Sequence, residues 1–175
     1  MQIRVATEDD VEAIGRVHEA SIRGLGSRTY DDEQVGAWAA GVESADYSAV
    51  TDENFYFIVA EAGSAAVDDH PVVGFGTLAR REPDGYEADV DAEVTAVYVH
   101  PDVARGGVGT ALLDDLERQA RAEGFRSLGL TASTNAVPFY EAHGYERIRE
   151  RRHEFSGHEG LGVEGTVVEM WKTLD

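Results

Sequence analysis

The chain has 175 residues, 42% of them hydrophobic, which is enough to bury a core within one domain spanning residues 1–175. It has no cysteine, so disulfides, zinc–thiolate sites and thiol nucleophiles are excluded. Acidic residues number 34 against 15 Lys and Arg, a formal net charge of -19, which speaks against a nucleic-acid-binding face. No apolar run reaches membrane-span length, and Met1-Gln2-Ile3-Arg4-Val5 lacks the layout of a signal peptide. A cytoplasmic protein with no membrane partner is expected. Lys172 is the only lysine. Such a charge repels itself unless salt screens it, and at about 1 M salt the Debye length is only about 3 Å. The composition therefore reads as adaptation to a salt-loaded cytoplasm, as in halophilic microbes.

Ile3 to Ala6 reads as a short strand. Thr7 then caps a helix whose first turn is acidic, with Val11, Ile14, Val17, His18 and Ile22 at helical spacing until Gly24 and Gly26 end it. A second helix covers Asp31 to Ala40 and carries Val35 and Trp38. Phe55 to Ala60 and Val72 to Leu78 are strands, joined by a polar loop from Ala62 to Pro71. Pro83-Asp84-Gly85 is a turn signal. Val94 to Val99 is β-branched and apolar on both faces, so it reads as a central strand that Pro101 ends.

Val108, Ala111, Leu112, Leu116 and Ala120 mark an amphipathic helix closed by Gly124. Ser127 to Thr131 is the next strand. Ala136 to Ala142 is a short helix with Pro138 in its first turn and Gly144 at its end. Tyr145 to Phe155 and Thr166 to Lys172 close the chain as strands, joined by the glycine-rich stretch Ser156 to Gly165. The predicted order is β-α-α-β-β-β-α-β-α-β-β: an α/β (α+β) fold in which helices flank a mixed, mostly antiparallel sheet.

The unit from Glu93 to Glu123 is a strand, a glycine turn and a helix. Such a turn aims free backbone N–H groups and the positive end of a helix dipole at one point, where a phosphate or pyrophosphate fits. A purely structural turn is the competing reading. A nucleotide P-loop is excluded because Thr110, not lysine, follows Gly109. A dinucleotide fingerprint fits worse, because the turn follows the fourth strand and its glycines are spaced differently.

Val97-Tyr98-Val99-His100-Pro101-Asp102-Val103-Ala104-Arg105-Gly106-Gly107-Val108-Gly109-Thr110 resembles the acetyl-CoA motif of the GCN5-related N-acetyltransferase (GNAT) superfamily. Gly107 and Gly109 match its two small positions. Ala104 stands where Gln or Arg is usual, with Arg105 beside it. A second block, Asn135 to Tyr145, resembles the family's later segment, in which an Asn opens a helix and a Tyr precedes Glu-x-x-Gly-Phe/Tyr.

The resemblance implies acetyl-CoA as the acyl donor. It implies that Val97, Tyr98 and Val99 hold the pantetheine arm, and that Arg105, Gly106, Gly107, Val108, Gly109 and Thr110 bind the pyrophosphate. Asn135 and Phe139 would contact the cofactor. It also implies an amine acceptor, either a small molecule or a peptide or protein amine, and the homodimers common among similar proteins.

Tyr140 is the candidate general acid for the leaving thiolate; its competing reading is a core tyrosine. Glu93 is the candidate general base, or an exposed acid among many. It sits six residues before Val99, so strand alternation places both on one face. Tyr30 and Trp38 fall where the family builds its acceptor site, or they fill the core. His18 reads as a packed histidine. His153 and His158, with Glu154 and Glu159, follow no compact ligand spacing, so no metal is expected. The alternative to an enzyme is an acyl-CoA-sensing domain of the same fold, and a third reading is an acidic interaction protein.

Overall fold

Seven strands form one sheet in the order β1-β2-β3-β4-β5-β7-β6. The computed structural model describes residues 1–63, 67, 69–155 and 163–175. The strands are β1 (Gln2–Val5), β2 (Phe55–Glu61), β3 (Val72–Ala79), β4 (Ala92–Val99), β5 (Ser127–Ser133), β6 (Glu146–Glu154) and β7 (Glu164–Thr173). The helices are α1 (Val11–Leu25), α2 (Asp32–Ala40), α3 (Val108–Ala122) and α4 (Val137–Ala142). Their order is the one predicted. Neighbouring strands run antiparallel except β4 and β5, which are parallel. A parallel pair needs a crossover, and α3 provides it.

The two faces of the sheet are covered differently. On one, Leu112, Leu113 and Leu116 of α3 are fully buried against Ile58, Leu78, Leu128 and Leu130. Gly74 and Gly76 let the helix come close: a Cβ on Gly74 would stand 3.0 Å from Val108, and one on Gly76 3.1 Å from Leu116. On the other face, Ile14 and Val17 of α1 pack on Phe57, Val59 and Phe75. A third cluster joins Ile22, Tyr30, Val35 and Ala39 to Phe155 and Val167, with the Trp38 ring stacked 5.3 Å from that of Phe155.

Helix α1 departs from its predicted end. It runs through Gly24 to Leu25, and Pro101 packs where a Gly24 side chain would stand, 2.7 Å from its Cβ position. Asp31 caps α2 by accepting from the Gln34 N–H at 2.8 Å. Of the predicted glycine-rich link between β6 and β7, residues 156–162 lie outside the described residues. No helix among the described residues is long and apolar enough to cross a membrane.

The only lysine serves the core. Lys172 Nζ lies 2.8 and 2.9 Å from the two oxygens of Glu117, a carboxylate only 4% exposed on the inner face of α3. Arg121 also donates to Glu117, at 3.2 Å, so removing Lys172 leaves the buried carboxylate with one longer, part-exposed partner. Lys172→Ala is expected to cost about 1–2 kcal/mol, the remaining Arg121 and the lysine's partial exposure keeping this below the fully buried case. Denaturant unfolding measures it, and a double variant with Glu117→Gln should recover part of the loss.

Candidate active site

The site begins with a failure of pairing. β4 and β5 match over only three positions, Ala92↔Leu128, Glu93↔Gly129 and Val94↔Leu130, while β5 stays paired with β7 as far as Ser133. Beyond Val94 the strands part. At that point β4 carries a bulge: Leu78 faces Val94 and Thr77 faces Ala96, leaving Thr95 as the extra residue. A bulge bends its strand and re-aims the residues that follow.

The bulge overturns the expectation that Glu93 and Val99 share a face. Ala92 and Val94 pack in the α3-side core, and so do Val97 and Val99. Glu93 therefore points to the opposite face, because the extra residue resets the two-residue alternation.

Backbone pairing shows what the fork offers. His100 N–H donates to the Val73 carbonyl at 2.8 Å. Alternation then turns the amide groups of Tyr98 and Ala96 toward β3 and those of Val97 and Val99 into the gap. The cleft between the parted strands has a volume of about 250 Å³ and is lined by Trp38, Tyr98, Thr131, Ser133, Tyr140 and Phe155, among others.

At one end of the fork lies the glycine turn. Arg105 and Gly107 both adopt left-handed backbone, at φ 63° and 88°. Gly107 does so without a side-chain penalty; Arg105 does not. Helix α3 starts at Val108, so the N–H groups of its first turn have no intrahelical acceptor. Among the described residues, the N–H groups of Gly107, Val108, Gly109 and Thr110 have no protein partner. Gly109 makes room for Phe139, whose ring stands 3.3 Å from its would-be Cβ. Nearby, the buried Oδ1 of Asn135 also lacks a partner. Free donors, a left-handed glycine and an orphaned acceptor fit a ligand carrying both phosphates and amides.

Tyr140 lies in the cleft wall at 7% exposure. Burial pushes its phenol well above the ordinary value, with the nearby Tyr98 adding to the effect, so the hydroxyl keeps its proton. Its ring meets Phe139 and Tyr145 edge-on.

Glu93 is half-buried, and burial raises its carboxyl above the ordinary range; Arg81 and Arg151 work against that shift. The Tyr86 hydroxyl donates to Glu93 Oε1 at 2.8 Å and lies 2.9 Å from Thr131 Oγ1. A carboxylate can only accept, so Tyr86 spends its proton on Glu93 and accepts from Thr131. Thr131 lines the cleft.

Two predicted acceptor-site residues part company. Trp38 lines the cleft. Tyr30 does not: its hydroxyl donates to the Thr166 carbonyl at 2.6 Å and accepts from the Thr134 N–H at 2.9 Å, tying α2's approach to the sheet. The Tyr98 ring packs against Phe75 and His18, so its place in the fork is held by its backbone as much as by its side chain.

Sequence reasoning missed Tyr86, Thr131 and His143. Tyr86 and Thr131 stand far apart in the chain and carry no motif. His143 lay in the second matched block, but nothing there tied it to the turn. Its Nδ1 lies 2.7 Å from the Phe139 carbonyl, which can only accept, so Nδ1 bears hydrogen while Nε2 meets Thr110 Oγ1 at 3.1 Å. This histidine couples α4 to the turn. His153 lines the cleft; His158 and Glu159 lie outside the described residues.

Residues 27–162, well over half of the chain, match the acetyltransferase (GNAT) domain family. This chain belongs to that family. The uncharacterized N-acetyltransferase YafP of Escherichia coli (strain K12) is 22% identical over 157 residues, covering 90% of this chain and 89% of its own. The crystal structure of a GCN5-related N-acetyltransferase from Rhodopseudomonas palustris is 28% identical, with a TM-score of 0.78 over 99% of this chain and 95% of that one. The PaiA N-acetyltransferase of Thermoplasma acidophilum, solved in complex with coenzyme A, has the same fold at 17% identity, with a TM-score of 0.67 over 98% of each chain.

Under the cleft wall of this GNAT domain, His18 packs 4.3 Å from the Tyr98 ring, with Nδ1 3.0 Å from the Tyr47 hydroxyl. Burial pushes its pKa down from 6.5 to about 4. Between those values the unfolded chain binds the proton and the folded chain does not, so stability falls as pH drops through that window. Melting temperature should decline from pH 6.5 to pH 4, and His18→Gln should flatten the decline.

Proposed function

We propose that this chain transfers an acetyl group from acetyl-CoA to a primary amine by direct attack. The observation that carries the reading is the fork: strand-edge amides at Val97 and Val99 lead from a phosphate-ready helix start to a protonated tyrosine. The thioester brings the activated acyl group. The N–H groups of Gly107 to Thr110, with Arg105 and Gly106 shaping the turn, hold the pyrophosphate. Val97 and Val99 pair with the pantetheine amides as a missing strand would. Asn135 Oδ1 takes an amide N–H, and Phe139 packs against the arm.

Tyr140 gives its proton to the departing thiolate and is reprotonated by the second hydrogen the nitrogen sheds as the amide forms. Glu93 takes the proton that the ammonium must lose before its nitrogen can attack. The path runs through Thr131 and Tyr86: each hydroxyl passes its own hydrogen on and receives the next, ending with Glu93 protonated and the amine neutral. Trp38 walls the acceptor side. The acceptor is a small molecule or a peptide amine.

Isothermal titration in molar KCl tests the donor site. Acetyl-CoA is expected to bind, and Gly107→Glu should abolish binding, because a carboxylate at a left-handed position fills the anion cradle. Acetyl-CoA binding that survives in Gly107→Glu, or no binding by the wild type, removes the reading.

Thiol release tests the chemistry. Tyr140→Phe should keep acetyl-CoA affinity and lower turnover about 10-fold or more. Wild-type rates should fall on the acid side at a pH above the ordinary carboxyl value of 4.5, in keeping with the raised Glu93. Glu93→Gln and Tyr86→Phe should each remove that limb. A limb that survives in both rejects the path.

A further inference from the structure

Strand β6 carries four arginines in a chain whose net charge is -19. Most are neutralised. Arg147 pairs with Glu141 at 2.6 Å, Arg149 with Glu169 at 2.9 Å, and Arg152 lies 3.7 Å from Glu164. Arg151 differs in sharing its carboxylate with Arg149 and in making no hydrogen bond among the described residues. It comes no nearer than 3.7 Å to Glu169, whose Oε2 already accepts from Arg149 and whose Oε1 accepts from the Glu87 N–H at 2.7 Å. Among the described residues Arg151 donates no hydrogen bond, and its side chain is 39% exposed.

Its place in the sheet is beside the cleft. Arg151 stands opposite Val167, which lines the cleft, and Val167 stands opposite Ser133, which also lines it. Two residues on, His153 lines it too. The charge of Arg151 is felt at both Glu93 and His153, stabilising the carboxylate of one and opposing protonation of the other. Arg81 adds positive charge at Glu93 and has no hydrogen bond or ion pair among the described residues. Against them stands Asp84. His153, its pKa lowered by burial first and by Arg151 second, is not a competing cation at neutral pH.

An acid-rich surface whose cleft carries a part-exposed guanidinium with its donor fork unused suits one kind of guest. A bare polyamine brought to Glu93 would meet Arg151 and Arg81 as like charges. An amine that carries its own carboxylate would set its ammonium toward Thr131 and its carboxylate on the planar donor fork of Arg151. We propose that the acceptor is an amino acid or a similar carboxylate-bearing primary amine, read by Arg151 with Arg81 in support. This rests on the reading of the cleft as an acetyltransferase site.

The test compares matched acceptors by thiol release from acetyl-CoA: L-phenylalanine with 2-phenylethylamine, β-alanine with propylamine, and O-phosphoethanolamine with ethylamine. In the first two pairs the carboxylate member is expected to be favoured about 10-fold or more in kcat/KM, the third pair serving as the phosphate control. In Arg151→Gln that preference should fall toward one, through KM, with acetyl-CoA affinity and melting temperature unchanged. Arg151→Lys should restore only part of it.

Equal rates within pairs, a preference for the carboxylate-free amine, or a preference untouched in Arg151→Gln overturns the assignment. Release from O-phosphoethanolamine alone reassigns the arginine to phosphate and overturns the carboxylate. Acetyl-CoA binding without release from any of these amines rejects this acceptor class while the donor site stands. No acetyl-CoA binding removes the site itself.

Discussion

The fork between β4 and β5 depends on one extra residue. Sheets are cooperative: once a strand pairs, alternation and hydrogen bonding favour continuing the ladder. Thr95 interrupts β4 just where its pairing with β5 stops, after Val94↔Leu130. The strand bends away while its other edge stays bound to β3. Amide groups of a central strand are thereby turned toward the cleft with no protein partner among the described residues. Unpaired backbone is costly to bury, so such an edge persists where a ligand or water completes it. The cleft, the donor edge and the path to Tyr140 all follow from that break.

The rest of the architecture braces the break. α3 lies close against β3 because Gly74 and Gly76 present no side chain, and its first turn meets the end of the fork. α4 is tied to the same turn through Phe139 against Gly109 and His143 against Thr110. Across the sheet, the loop before β4 is held by Glu169, which accepts from the Glu87 backbone. That bond keeps Tyr86 over Gly129, where a side chain on the glycine would stand 2.7 Å from the tyrosine ring. A buried carboxylate on β7 thus places the hydroxyl that reaches Glu93. The electrostatics divide accordingly. Most acids face solvent, the only lysine is spent on Glu117, and the least neutralised arginine of β6 stands at the cleft.

Much of this was legible in the chain because it is local. Glycines at 106, 107 and 109 after a β-branched run announce a turn and a helix start whatever surrounds them. Asn135 and Tyr140 sit in one short block whose helical spacing fixes their relation. The sheet's element order follows from hydrophobic period and turn signals alone. Glu93 lies six residues before Val99, and counting by twos puts the two on one face, but that count presumes an unbroken strand and β4 bulges at Thr95. Tyr30 shows what local sequence leaves open: of the two readings, acceptor wall or core, its burial and the hydrogen bonds of its hydroxyl to Thr166 and Thr134 favour the core.

The sequence by itself determined the elements, their order, the anion-ready turn and the presence of a tyrosine at the short helix, because each depends on residues within a few positions of one another. Only the tertiary structure decided which strand bulges, which hydroxyl reaches Glu93, and which arginine shares a carboxylate that others have already engaged. Those depend on residues from β4, β5, β6, β7 and the loop at Tyr86 meeting in space. Pairing register and competition among charges are settled only when the sheet closes around them.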